Sequence, residues 1–105
     1  MIAALFEQSK GSLCSVTVSG HAGYADYGQD VVCASVTSTL QLTANGITEV
    51  LKVPAQVVQE ENSITVRLPK NPGQSAQAFL QALQLHLTLL AEDYPGTIQV
   101  TVSEV

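Results

Sequence analysis

The stretch SGHAGYADYGQDVVCASV, residues 19–36, marks the point where an alternating strand pattern gives way to a glycine-rich loop and then to a helix. Asp30 is a residue type that favours the N-cap position, and the apolar residues after it recur every three or four positions. The loop over residues 19–29 contains three glycines and is long enough to be functional rather than a simple connector. We therefore predict a helix that begins after Asp30, with Cys33 as its third residue.

The sequence on either side of this stretch predicts the element order ββαββαβ. Strands are expected over 2–7, 13–18, 56–60, 63–68 and 98–102. The first helix should run to about Lys52, with a weak point at residues 45–46, and the second should end near Asp93 with Asn71 as its cap and Pro72 at its first position. We expect a single α+β domain over 1–105, a mainly antiparallel sheet with two helices packed on it and at most one strand in parallel.

Composition restricts the partners that this chain can have. It has 105 residues and a net charge of −5, and its four cations are scattered along the sequence: Lys10, Lys52, Arg67 and Lys70. Direct nucleic-acid binding needs a basic patch and is not expected. Charged residues make up only 12 % of the chain, so we expect exposed apolar area and a homodimer.

The absence of certain segments predicts a cytoplasmic location. No apolar run reaches about 18 residues, and no basic-then-apolar leader opens the chain, so we expect no membrane span and no secretion. Two cysteines, Cys14 and Cys33, are too few for a disulfide framework, and both thiols should be reduced.

His21 and Cys33 are the candidate residues for catalysis by a cysteine nucleophile. A cysteine at a helix N-terminus lies near unpaired backbone N–H groups, which favour a thiolate and could also hold an oxyanion. His21 is bracketed by Gly20 and Gly23, and its imidazole can accept the thiol proton. Asp30 has two possible roles, as a helix cap or as a third member that orients His21.

Other candidates have simpler explanations. Cys14 alternates with Val16 and Val18 and is predicted to lie in the core, while His86 lies on the edge of an apolar stripe. Because the histidines and cysteines do not match zinc spacing along the chain, we expect no metal or cofactor. The glycine-rich loop lacks the lysine of a phosphate loop. Five residues of this loop are predicted to contact a substrate: Gly20, Gly23, Tyr24, Tyr27 and Gly28. The alternative role for the two tyrosines is simply to cover the loop.

The segments SGHA at 19–22 and GxDVVCA at 28–34 closely resemble the signature of the ribosomal-processing cysteine proteases, the Prp family. LLxxxYP at 89–95, followed by an alternating strand, resembles the end of that family's chain. The resemblance covers nearly the whole sequence. Small departures at Val32, Ser35 and Thr37 lie outside the His–Cys pair and leave substrate preference open.

The resemblance implies an endopeptidase of ribosome assembly. Members remove a short apolar N-terminal extension from a large-subunit ribosomal protein precursor, are homodimeric, and have a glycine-rich loop that moves on peptide binding. It implies His21 as general base, Cys33 as nucleophile and Asp30 as a matching acidic position. Two alternatives remain: a non-catalytic ribosome-associated assembly or binding module, and a thiol redox sensor that would use Cys14 as its resolving thiol.

Overall fold

A computed structural model of the chain describes residues 1–23, 25–26 and 29–105. The elements follow the predicted order: β1 (Ile2–Ser9), β2 (Ser12–Ser19), α1 (Val31–Asn45), β3 (Gln56–Glu60), β4 (Ser63–Arg67), α2 (Gln74–Asp93) and β5 (Ile98–Glu104). Within these ranges no helix has the length and apolar character needed to cross a membrane.

The five strands form one sheet in the order β3-β4-β2-β1-β5. β5 pairs in parallel with β1, and every other neighbouring pair is antiparallel. The register places alternating apolar residues on one face, where the two helices bury them: Ile2, Ala4, Phe6, Val16, Val18, Val66 and Ile98. The predicted α+β class, a mainly antiparallel sheet with two helices packed on it, is confirmed.

The first helix changes character at its predicted weak point. α1 ends at Asn45, and residues Gly46–Val50 continue as a π-helical segment, in which each backbone turn is wider. A Cβ atom on Gly46 would lie 2.6 Å from the ring of Phe79 on α2. The glycine therefore allows the two helices to approach closely at this point.

The predicted start of the second helix is wrong. α2 begins at Gln74, with Gly73 at the N-cap position and no side-chain cap. Asn71 has a φ of 53° and Gly73 a φ of 92°, so the chain makes a left-handed turn where the sequence predicted a cap and a first helical residue. Pro72 belongs to that turn, because a helix cannot include neighbours with positive φ.

A β-bulge overturns the prediction that Cys14 lies in the core. Glu7 pairs with Ser15 and Gln8 with Leu13, which leaves Cys14 as the extra residue on β2. Leu13 consequently becomes buried, whereas Cys14 is half-buried and its Sγ lies 3.4 Å from the carbonyl oxygen of Glu7. The bulge shifts the alternation by one residue relative to a regular strand.

Candidate active site

Asp30 holds the start of α1, as its residue type predicts. Its Oδ1 accepts hydrogen bonds from the backbone N–H groups of Val32 at 2.9 Å and Cys33 at 3.0 Å. Its Oδ2 accepts a longer bond from the N–H of Ala25 at 3.3 Å, and its side chain is almost completely buried. One carboxylate therefore fixes both the helix start and part of the loop before it.

The same hydrogen bonds engage three of the backbone donors that were expected to hold an oxyanion. Because the N–H groups of Val32 and Cys33 already donate to Asp30, and that of Ala34 donates to the Asp30 carbonyl oxygen, these first-turn donors are engaged within the helix cap. They cannot also hold an oxyanion without breaking the cap. The expectation that the helix start supplies the oxyanion donors stays a prediction, which for these three N–H groups requires the cap to open.

The sulfur of Cys33 contacts a different backbone donor. The N–H group of Ala22, in the loop that follows β2, lies 3.2 Å from Sγ and donates to it. Ala22 is buried and Cys33 is half-buried, so this contact lies at the edge of the core. It fixes the direction of the sulfur and places an N–H donor beside the atom expected to react.

A tight backbone turn positions His21. Gly20 has a φ of 90°, and a Cβ atom on it would lie 2.6 Å from the carbonyl oxygen of Met1, so only glycine fits there without a shift. The Nδ1 atom of His21 accepts a hydrogen bond from the N–H of Gly23 at 3.1 Å and lies 4.0 Å from Oδ2 of Asp30. The ring is 40 % exposed, which leaves it room to turn.

The fold brings the three predicted side chains together. One ring nitrogen of His21, one carboxylate oxygen of Asp30 and Sγ of Cys33 lie within 4.8 Å of one another. A loop separates residues 21 and 33 in the sequence. They lie close together because the start of α1 lies beside the end of β2. Imidazole and thiol thus lie near enough to pair after a small side-chain movement.

These residues lie in an open groove of about 770 Å³ between α1 and the β3–β4 hairpin. Apolar side chains from β2, α1 and β4 line part of it: Val18, Val36, Leu40 and Ile64. Polar residues of the hairpin, including Glu60, Glu61 and Asn62, line another part. The groove has room for an extended peptide segment, with the sulfur accessible within it.

The predicted loop contacts fall into two groups. Gly20 and Gly23 are described and flank His21, whereas Tyr24, Tyr27 and Gly28 lie outside the described residues. Two further contributors to the site were not predicted from the sequence: the backbone N–H of Ala22 and the β3–β4 hairpin. Alanine carries no side-chain signal for such a role, and the hairpin approaches the site only through sheet pairing.

A cysteine at a helix start, a histidine beside it and an open apolar groove define a site for cysteine-nucleophile chemistry. The chain belongs to the family of the cysteine protease Prp, whose family model matches residues 1–99. Its enzyme class is therefore cysteine protease, and His21 and Cys33 lie near enough to fit a His–Cys dyad.

Curated relatives and solved structures agree with this assignment. The chain is 29 % identical over 111 residues to the ribosomal processing cysteine protease Prp of Bacillus subtilis, covering 98 % of each chain. It is 26 % identical over 93 residues to the protein of that name from Staphylococcus aureus, covering 87 % of this chain and 88 % of the relative.

Two crystal structures share the fold over nearly their full length. SMU.848 from Streptococcus mutans has a TM-score of 0.89 at 29 % identity and matches 100 % of this chain and 96 % of its own. The Prp protease of S. aureus, solved with a covalently linked product peptide, has a TM-score of 0.92 at 24 % identity and matches 98 % of this chain and 100 % of its own. The second likeness shows the fold alone.

Proposed function

We propose that this protein is an endopeptidase of ribosome assembly that removes a short apolar N-terminal extension from a large-subunit ribosomal protein. One observation supports this proposal most directly: Sγ of Cys33 lies within 4.8 Å of a ring nitrogen of His21. Both atoms lie in an open and partly apolar groove. The relatives' names as ribosomal processing proteases support the choice of substrate.

The reaction uses two side chains in named roles. His21 takes the proton of the Cys33 thiol, and the thiolate attacks the scissile carbonyl carbon of the peptide. His21 then gives the proton to the leaving amine as the C–N bond breaks. Water cleaves the resulting thioester, which releases the new carboxylate and restores the thiol.

We propose the N–H of Ala22 as a donor to the oxyanion. In the resting site it donates to Sγ at 3.2 Å, so it lies beside the position that the carbonyl carbon must occupy when the S–C bond forms. As the sulfur loses its negative charge to the carbonyl oxygen, this N–H can transfer its hydrogen bond to that oxygen. Asp30 serves as a positioning residue, because it holds both the helix start and the loop of His21.

The residues that line the groove favour a substrate whose cleaved segment is apolar and whose remaining part is basic. Val18, Val36 and Leu40 offer apolar contacts for an apolar extension. The chain carries a net charge of −5, and Glu60 and Glu61 line the groove, which favours the approach of a basic protein such as a ribosomal protein.

The loop before α1 is proposed to close over the peptide and so to select which substrates enter. Gly20 and Gly23, both with positive φ, lie on either side of His21. Among the described residues, nothing lies within 4 Å of a Cβ position at Gly23, so the backbone has space to move there. Tyr24, Tyr27 and Gly28 are proposed as its peptide contacts. Closure would also exclude water from the thiolate.

A homodimer and a cytoplasmic location remain proposals. Several large apolar side chains on the outer surface of the helical layer are exposed, which favours association: Leu42, Val50, Leu85 and Leu89. Both cysteines are free thiols, as in a reducing compartment. Light scattering of the full chain at several concentrations tests the dimer.

Incubation with the organism's own large-subunit ribosomal protein precursor tests the function. Mass spectrometry should show one defined cut that removes an N-terminal segment, and no cut with Cys33→Ser. Cys14→Ser is the matched control, because Cys14 lies about 20 Å from Gly20 along β2 and should be dispensable.

Other outcomes distinguish the alternatives. If the wild-type protein binds the precursor without cutting it, the protein acts as a binding module toward this precursor, and the proposed cleavage of it is wrong. If Cys14→Ser abolishes cleavage, a redox pair between the two thiols gains support, although their separation along β2 argues against it.

A further inference from the structure

The side chains of His21, Asp30 and Cys33 place one nitrogen, one oxygen and one sulfur atom close together. These atoms lie within 4.8 Å of one another, and His21 Nδ1 lies 4.0 Å from Asp30 Oδ2. Imidazole, carboxylate and thiolate are the three ligand types that zinc takes in proteins. The spacing along the chain gave no hint of this set, because the fold creates it.

We propose that these three side chains bind one Zn²⁺ ion reversibly and that the zinc-bound protein is an inactive state of the protease. The binding site itself is independent of the proposed substrate. The inhibitory consequence rests on the proposed function, because it requires Cys33 to be the nucleophile.

The distances fit a zinc site after a small movement. With Zn–S near 2.3 Å and Zn–N and Zn–O near 2.1 Å, ligand atoms around a tetrahedral zinc are separated by about 3.4–3.6 Å. A group spanning at most 4.8 Å therefore has to contract by about 1 Å. His21 can supply the movement because its ring is 40 % exposed, whereas Asp30 is fixed by its cap.

Charge favours a dication at this point. A thiolate and a carboxylate together carry the charge that balances Zn²⁺, and soft sulfur selects zinc over magnesium or calcium. The described groove contains Glu60 and Glu61 as well, and none of the four cations of the chain lines it. The open groove leaves a fourth position for water.

Binding removes both catalytic functions without a redox step. The Cys33 thiol releases its proton to the buffer as the S–Zn bond forms, and a lone pair of His21 is donated to the metal. Sulfur then no longer attacks a carbonyl, and the imidazole no longer accepts a proton. A chelator that removes the ion restores both groups.

Cobalt provides a direct test on the full reduced chain, because Co²⁺ replaces Zn²⁺ and absorbs light. We expect a sulfur-to-cobalt charge-transfer band that saturates at one Co²⁺ per chain and disappears on adding Zn²⁺. Cys33→Ser should abolish the band. His21→Ala and Asp30→Asn should each weaken binding at least tenfold, and Cys14→Ser and His86→Ala are the controls that should leave it unchanged.

Several results would overturn the proposal. One is the lack of a charge-transfer band in the wild-type protein, and another is loss of the band in Cys14→Ser. A third is an unchanged Co²⁺ affinity in both His21→Ala and Asp30→Asn, which would mean adventitious binding by a single thiol. The amide introduced by Asp30→Asn keeps one oxygen for the cap, and circular dichroism should verify that each variant is folded.

A second measurement does not depend on any variant. Zn²⁺ at the saturating concentration should protect Cys33, and not Cys14, from iodoacetamide, and EDTA should reverse the protection. Equal alkylation of Cys33 with and without zinc refutes the site even if the variants fail to fold. Because neither readout uses a substrate, a failed ribosomal-precursor assay leaves the zinc site standing, and a failed cobalt titration leaves the proteolytic function standing.

Discussion

Gly20→Ala tests whether the turn that carries His21 depends on the absence of a side chain. Residue 20 has a φ of 90°, and its new Cβ would lie 2.6 Å from the carbonyl oxygen of Met1, a backbone atom that cannot rotate away. Left-handed backbone costs a non-glycine residue about 1–2 kcal/mol. The backbone and side-chain movement needed to relieve a close contact in a packed region destabilises the folded state by about a further 1–3 kcal/mol. We therefore expect the free energy of unfolding to fall by about 2–5 kcal/mol.

Gly11→Ala is the matched control for this prediction. Gly11 has a φ of 80° and nothing within 4 Å of its Cβ position, so only the backbone strain applies, about 1–2 kcal/mol. Urea unfolding of both variants, analysed with a common m-value, measures the difference. The rate of cleavage by Gly20→Ala should fall as well, because the backbone movement that relieves the contact with Met1 also displaces the neighbouring His21. Equal stability of the two variants would refute the steric argument.

Three further substitutions test the cap, the core and the dyad. Asp30→Ala should lower the free energy of unfolding by about 1–2 kcal/mol, and Asp30→Asn by less, because asparagine keeps an acceptor for the N–H groups of Val32 and Cys33; equal losses in urea unfolding would contradict the capping role. Leu83→Ala, in the core, should cost about 2–5 kcal/mol, against about 0.5 kcal/mol or less for Leu85→Ala, whose side chain is 61 % exposed; similar losses in thermal unfolding would place the core face of α2 elsewhere. His21→Ala should slow the alkylation of Cys33 by iodoacetamide at neutral pH and leave that of Cys14 unchanged in the same sample, as read by mass spectrometry; an unaltered rate at Cys33 would argue against the dyad.

Local signals in the sequence identified most of the fold. An N-cap aspartate followed by apolar residues at helical spacing predicted the start of α1, because capping depends on only a few consecutive residues. Alternation predicted the strands, and the Asn45–Gly46 pair indicated where α1 gives way to a π-helical segment. His21 and Cys33 could be proposed together because imidazole and thiol are the chemical parts that the reaction needs.

Features that depend on pairing between distant segments could not be predicted. The bulge at Cys14 exists because β1 and β2 pair with one residue to spare, and nothing in the alternation of β2 indicates this. The start of α2 was misplaced because Asn71 and Pro72 satisfy capping preferences while the backbone turns left-handed there. The N–H of Ala22 acquires its contact with Cys33 only through the folded loop.

Parallel pairing between β1 and β5 has a consequence for the order of events during synthesis. Ile2 lies opposite Ile98, and the parallel ladder continues to Gln8 and Glu104. β2 can therefore pair with β1 soon after both strands are made, whereas β5 is synthesised after the four other strands. Until β5 has been synthesised, one edge of β1 presents unpaired backbone groups that favour association with other chains. A newly made chain should therefore complete this sheet only after β5 has been synthesised, and a chain truncated before Ile98 should aggregate.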